Sequence, residues 1–207
     1  MLKELVKRYP QLEPLSDTLE DAVDLMQKTY LLGGKILLCG NGGSCADCDH
    51  IVGELMKGFR SLRRLSTSEA EKFVGLCENP ELFAKKLQKA VPAISLASQC
   101  AVLTAFMNDV DPSLVYAQLT YGYGTKNDLL IALSTSGNSQ NVVNAAIAAK
   151  AIGMKTLCMT GANESRLSSL CDCAIRVPET ETYKVQELHL PIYHYLCAEL
   201  EERLFAE

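Results

Sequence analysis

The sequence predicts an α/β fold of three layers: a doubly wound, mostly parallel five-stranded sheet with packing helices from the two ends of the chain. Three observations predict it. Short apolar runs of strand length (KILLCG, AISLAS, DLLIALS, TLCMTG and CAIRVP) are spread along the chain. Segments of helical periodicity lie between most of them, and such alternation calls for a parallel sheet covered on both faces. The 207 residues are 48% hydrophobic, enough for one well-buried domain over 1–207.

The elements follow in order. Leu12, Leu15, Leu19, Val23 and Met26 recur at helical spacing and Gly33-Gly34 stops the pattern, which predicts an N-terminal helix within 1–32. KILLCG is a strand ending at Asn41-Gly42-Gly43-Ser44, and Ser44 reads as the N-cap of the helix after it. Residues 60–92 read as a helical insertion. Ser68-Glu69-Ala70-Glu71 resembles a capping box, and Asn79-Pro80 an N-cap with proline at the first helical position. AISLAS follows as a strand. DLLIALS (128–134) is a buried-type strand, TSGNS a loop, and QNVVNAAIAAKAIG a helix closed by Gly153. TLCMTG is the next strand, with a loop at Gly161-Ala162-Asn163 and a short helical stretch, and CAIRVP stops at Pro178. TYKVQELHLPIYHYLCAELEERLF reads as one long amphipathic helix kinked at Pro191.

The net charge of −5 disfavours binding to a nucleic-acid backbone, which needs a basic face. The local exception, KGFRSLRR with Lys57, Arg60, Arg63 and Arg64, reads as a solvated or partner-facing surface, with a role near an anionic substrate as the alternative. Charges every few residues in MLKELVKRYPQLEPL fit neither a signal peptide nor a membrane span, so a soluble cytoplasmic protein with no membrane partner is expected. Nine cysteines, an odd number lying mostly in apolar runs, argue against a disulfide framework.

Two loops, NGGS (41–44) and STSGNS (134–139), each join a strand to a helix N-terminus. Free backbone N–H groups, the positive end of a helix dipole and close backbone approach at glycine suit a phosphate there. Ser134, Thr135, Ser136 and Ser139 add four hydroxyls, which can hold a dianion without lysine. The plain alternative is a pair of ordinary turns and caps. GxxxxGK[ST] and GxGxxG are absent, which points away from nucleotides and toward a small phosphorylated metabolite.

Three histidines are present, His50, His189 and His194. His50 and Glu54 are four apart and share a helix face, about 40° apart around the axis. Gln186 and His194 lie two turns apart on the last helix, whereas His189 points away from His194. The two pairs, brought together, offer two imidazoles, a carboxylate and an amide. That set suits a divalent metal such as zinc and contains a general acid and a general base. The alternative is an intrahelical His50–Glu54 pair and a packed His194. Cys45-x-x-Cys48 and Cys171-x-Cys173 read as packing residues, since no second CxxC completes a metal site.

Three stretches, GGKILLCGNGGSCADCDHIVGEL, ALSTSGNSQNVVNAAIAAKAIGMKTLCMTG and VQELHLPIYHYLC, resemble the sugar isomerase (SIS) domain family and, within it, the phosphoheptose isomerases. The resemblance covers 1–59 and most of 93–207. It implies a flavodoxin-like SIS fold and a homotetramer. It also implies zinc in the active site and isomerisation of sedoheptulose 7-phosphate to an aldoheptose 7-phosphate through a cis-enediol. By position, it implies metal ligands at His50, Glu54, Gln186 and His194. Substrate contacts fall at Asn41, Gly42, Gly43, Asn108, Asp109, Ser134, Thr135, Ser136, Ser139, Glu54 and Gln186, with Ser44 closing the first loop. Glu54 is the implied base and His194 its acid partner. A second branch of the family, the non-catalytic replication-initiator-associated proteins, lacks the catalytic Glu and His that stand here. Two departures from the phosphoheptose isomerase pattern are the length of 60–92 and Thr182-Tyr183-Lys184 before Gln186.

Overall fold

A computed structural model describes residues 1–206. Five strands, β1 (Ile36–Cys39), β2 (Ala93–Ser95), β3 (Leu129–Leu133), β4 (Lys155–Thr160) and β5 (Cys173–Arg176), form one sheet in the order β2-β1-β3-β4-β5. Every pairing is parallel, so the sheet is wholly rather than mostly parallel. β1 and β3 are buried at every position, as strands covered on both faces must be.

Side-chain alternation divides the core in two. Ile36, Leu38, Leu129 and Ile131 face α2 (Ser16–Leu31), α3 (Gly43–Met56) and α10 (Thr182–Phe205). Leu37, Cys39, Leu130 and Ala132 face α7 (Val115–Tyr123) and α8 (Gln140–Ala151). The order reverses between β1 and β3, and open α/β sheets bind ligands beyond the carboxyl ends of the strands at such a switch point. The two serine- and glycine-rich loops follow β1 and β3.

Several local expectations need correction. The N-terminal segment is not one helix: α1 (Leu2–Arg8) is followed by a 3₁₀ turn over Pro10–Leu15, so Leu12 and Leu15 precede α2. Pro10 and Pro14 explain this, since neither supplies the N–H an α-helix would use. α3 starts two residues earlier than Ser44 implied. Gly42 is its N-cap, at φ 56°, and Ser44 is buried in the first turn. The capping box lies at Ser66 and Glu69, ahead of α4 (Thr67–Glu71), rather than at Ser68–Glu71. Asn79 does cap α5 (Pro80–Lys86), accepting from Leu82 N. The single long helix expected at the end of the chain is present as α10, with Pro191 in its interior. α6 (Cys100–Asp109) and α7 stand where no element was expected from the sequence, and α9 (Arg166–Leu170) completes the helices. Among the described residues, no helix is long and apolar enough to cross a membrane.

Candidate active site at the β1 and β3 loops

The two loops meet. Asn41 Nδ2 donates to Asn141 Oδ1 and Asn141 Nδ2 donates to Asn41 Oδ1, both at 2.9 Å, so a reciprocal amide pair ties the turn after β1 to the first turn of α8. Asn141 escaped notice in the sequence because an Asn early in a helix is unremarkable by itself. Tyr116 OH donates to Gly40 O at 2.7 Å and steadies the first loop from below. Ser134 Oγ donates to Ser139 Oγ at 3.1 Å, while Ser136 stays exposed and Thr135 half-buried. Gly137 adopts φ 64°, and a Cβ there would lie 2.0 Å from Ser165 Oγ, so only glycine fits this turn.

The first turns of α3 and α8 lie side by side at the switch point. Neither has a side-chain N-cap bond, a feature shared with α1, α2, α6, α7 and α10, whereas Ser66, Asn79 and Ser165 close α4, α5 and α9. Ser44 N and Cys45 N donate to Asn41 O and Gly42 O, and Val142 N donates to Asn141 Oδ1, so the amides left for a phosphate are the ones just ahead of these, at the positive ends of the two dipoles.

Farther along α3 stand His50 and Glu54. His50 Nε2 lies 3.3 Å from Glu54 Oε1, and Lys57 Nζ donates to Glu54 Oε2 at 3.0 Å. α10 runs beside α3, and the His194 ring sits 5.0 Å from that of His50, edge to face. Phe59 packs against His194 at 5.7 Å. A cavity of about 500 Å³ opens onto His194, lined among others by Arg8, Tyr9, Phe59 and Arg60. Burial pushes the His194 imidazole below its ordinary pKa, His50 and Arg8 push the same way, and Glu54 pulls against them.

An unforeseen chain of contacts holds His50. The buried Tyr193 donates its OH to Asp47 Oδ1 at 3.2 Å and lies 3.0 Å from His50 Nδ1. With its proton directed at Asp47, the hydroxyl accepts from Nδ1–H. The lone pair of a neutral His50 is then on Nε2, facing the Glu54 carboxylate. Two electron-rich atoms at that separation need a proton or a cation between them, so the donors suit a metal in kind. Asp47 and Tyr193 were missed because neither completes a motif. Asp47 is one turn before His50, a spacing visible in SCADCDH, but only α10 supplies the tyrosine.

The four expected metal ligands are not gathered at one point. The Gln186 amide lies over Gly43, where a Cβ would come within 2.5 Å of Nε2. Gln186 is thus at the phosphate-type loop, about 12 Å along α10 from His194 at 1.5 Å per residue. Among the described residues, no three His, Cys, Asp or Glu side chains form a ready-made metal cluster. Asn108 and Asp109 stand at the exposed end of α6 and bond to each other, Asn108 Nδ2 to Asp109 Oδ1 at 2.8 Å; neither bonds to the loops or to α3. His189 is buried on the far side of α10, 3.5 Å from Thr160 O. All nine cysteines are free. Burial raises the pKa of both Cys45 and Cys48, the opposite of an activated thiolate. The basic run divides: Lys57 pairs with Glu54, and Arg63, expected on a solvated face, is buried against Glu201.

The doubly wound parallel sheet is that of the SIS class, and the family model described as SIS domain matches residues 92–196. The phosphoheptose isomerase of Helicobacter pylori (strain P12) is 37% identical over 204 residues, 99% of this chain and 92% of that protein. That of Clostridium acetobutylicum is 35% identical over 92% of this chain and 85% of its own length. Among solved structures, the phosphoheptose isomerase of Francisella tularensis superposes with a TM-score of 0.78 at 25% identity, and that of Neisseria gonorrhoeae with 0.76 at 26%. Each match covers 97% of this chain and 94% of the other. The chain belongs to the phosphoheptose isomerase family of SIS domain proteins.

Proposed function

We propose that the chain is a phosphosugar aldose–ketose isomerase acting on sedoheptulose 7-phosphate to give D-glycero-D-manno-heptose 7-phosphate. The observation that carries this reading is the Glu54 carboxylate, 3.3 Å from His50 Nε2 and beside His194, on a helix that begins at an anion-receptive loop. A non-catalytic phosphosugar-binding role would not call for this acid–base group.

The chemistry needs a proton carried between adjacent carbons and an acid to serve the oxygens. Glu54 is the proton carrier, held at both oxygens by His50 and Lys57. His194, its imidazole pushed down by burial, is the acid partner. The loops at Asn41–Ser44 and Ser134–Ser139 hold the phosphate, and Asn108 and Asp109 remain candidates for the sugar hydroxyls. Zinc is the proposed metal: His50, Glu54 and His194 would hold it, with Gln186, the fourth expected ligand, standing at the Gly43 loop instead, and it would supply a Lewis acid for the carbonyl oxygen. Assembly as a homotetramer belongs to the same reading, supported by an α6 that buries none of its side chains. A cytoplasmic setting suits an enzyme of phosphorylated sugars.

The test is Glu54→Gln in deuterated water. The native chain should deposit solvent deuterium at the carbon that exchanges its proton. The variant should lose about 10²–10⁴-fold in turnover, the usual worth of a placed proton carrier, and still bind inorganic phosphate. Unchanged turnover would remove Glu54 from the mechanism.

A further inference from the structure

We propose that Arg63 is a positioning residue for Glu54, an assignment that rests on Glu54 as the proton carrier. Arg63 lies in the segment that departs from the family pattern, and its side chain is buried. Nε donates to Glu201 Oε1 at 2.6 Å, Nη1 to Leu55 O at 2.7 Å and Nη2 to Glu54 O at 3.1 Å. The last carbonyls of an α-helix have no partners within it. One guanidinium therefore caps the final turn of α3, the turn that carries Glu54, and does so through the backbone of Glu54 itself. Val91 N also donates to Leu55 O at 2.9 Å, closing the same turn from the far end of the insertion.

Glu201 holds the guanidinium in place. Its carboxylate accepts from Phe59 N at 2.8 Å, Arg60 N at 2.7 Å and Ser61 N at 3.0 Å as well as from Arg63, so the buried charge is fully satisfied. Phe59, fixed this way, is the ring packed on His194. The Phe205 ring lies 5.0 Å from the guanidinium carbon. Arg63 adopts φ 41°, the one non-glycine with positive φ among the described residues. Such a backbone persists only when its surroundings over-determine it. The base of the insertion is thus locked to the two helices that carry the acid–base pair, with Lys89 N donating to Arg63 O at 2.7 Å and an Arg64–Gln88 bridge closing the stalk. A lone structural ion pair would not need a fork on two carbonyls at this turn.

Arg63→Lys keeps the charge facing Glu201 but lacks the planar fork that reaches two carbonyls. In the purified, folded variant, with sedoheptulose 7-phosphate as substrate, kcat should fall about 10-fold or more, the scale expected for a slightly misplaced catalytic group. KM and the inhibition constant for inorganic phosphate should stay within about twofold, because the loops are untouched. A merely structural role would lower thermal stability and leave the kcat of the folded protein at the native value, which overturns the assignment. Should Arg63→Lys fail to fold, Glu201→Gln, which loosens the guanidinium while keeping the side chain's shape, decides by the same split. Glu54→Gln is measured alongside. Native turnover there overturns the role of Glu54 and this inference with it, whereas loss there and none in folded Arg63→Lys overturns the positioning role alone.

Discussion

Asp47, Tyr193 and His50 carry the main lesson at the scale of the residue. A histidine ring has two nitrogens, and which one bears the proton depends on what the other touches. Tyr193 settles that for His50 from a different helix, and so directs Nε2 toward Glu54. His50 and Glu54 were legible because their spacing of four is a helical fact. Tyr193 was not, because its role depends on how α10 lies against α3. His189 makes the converse point. Burial pushes its imidazole down to about 4, only partly opposed by the Thr160 carbonyl, and its Nδ1 has no partner. The unfolded chain takes up a proton near pH 6.5 while the folded chain does not until about pH 4, so His189 withdraws stability as the pH falls through that window. His189→Leu should therefore lose less stability than the native chain between pH 6.5 and 4, by about 3 kcal/mol at the lower end. Thr160 O keeps its bond from Val177 N. Denaturant melts of both chains across that range check this, and parallel curves would refute it.

Among the elements, α3 and α6 contrast. The start of α3 was expected at Ser44 because serine is a common cap, yet the chain turns at Gly42 and buries Ser44. The difference matters functionally: the turn is made by Gly42 and Gly43 with no side chain closing it, so the backbone itself can come close to a ligand. α6 is apolar but has no buried side chain, with Val102 and Met107 each 41% exposed and Val110, just past its end, 64% exposed. α7, the next helix, does the opposite and turns Val115, Tyr116 and Leu119 into this chain's own core. An apolar helix left open in one chain suits burial between copies. Light scattering of the purified protein should give about four times the chain mass of 22.6 kDa. A monomer across the micromolar range would contradict the homotetramer.

For the whole molecule, the class of fold was legible because five apolar runs alternate with helices, and parallel strands demand such crossovers. The order β2-β1-β3-β4-β5 was not, since strand adjacency leaves no local mark. Yet that order puts the NGGS and STSGNS loops next to each other, and the Asn41–Asn141 pair joins them. The insertion at 60–92 was legible as two short helices, but not as a brace, because the partner of Arg63 lies 138 positions away at Glu201. Gln186 beside Gly43, with His50, Glu54 and His194 two turns on, spreads the candidate site along the groove between α3 and α10. An extended sugar phosphate, its phosphate at one end and its reacting carbons toward the other, matches that spread better than a compact ligand would. The most direct test is to incubate the native protein with sedoheptulose 7-phosphate and zinc and follow the sugar carbons by NMR. The account predicts aldoheptose 7-phosphate accumulating to equilibrium; a ketose spectrum that never changes would contradict it.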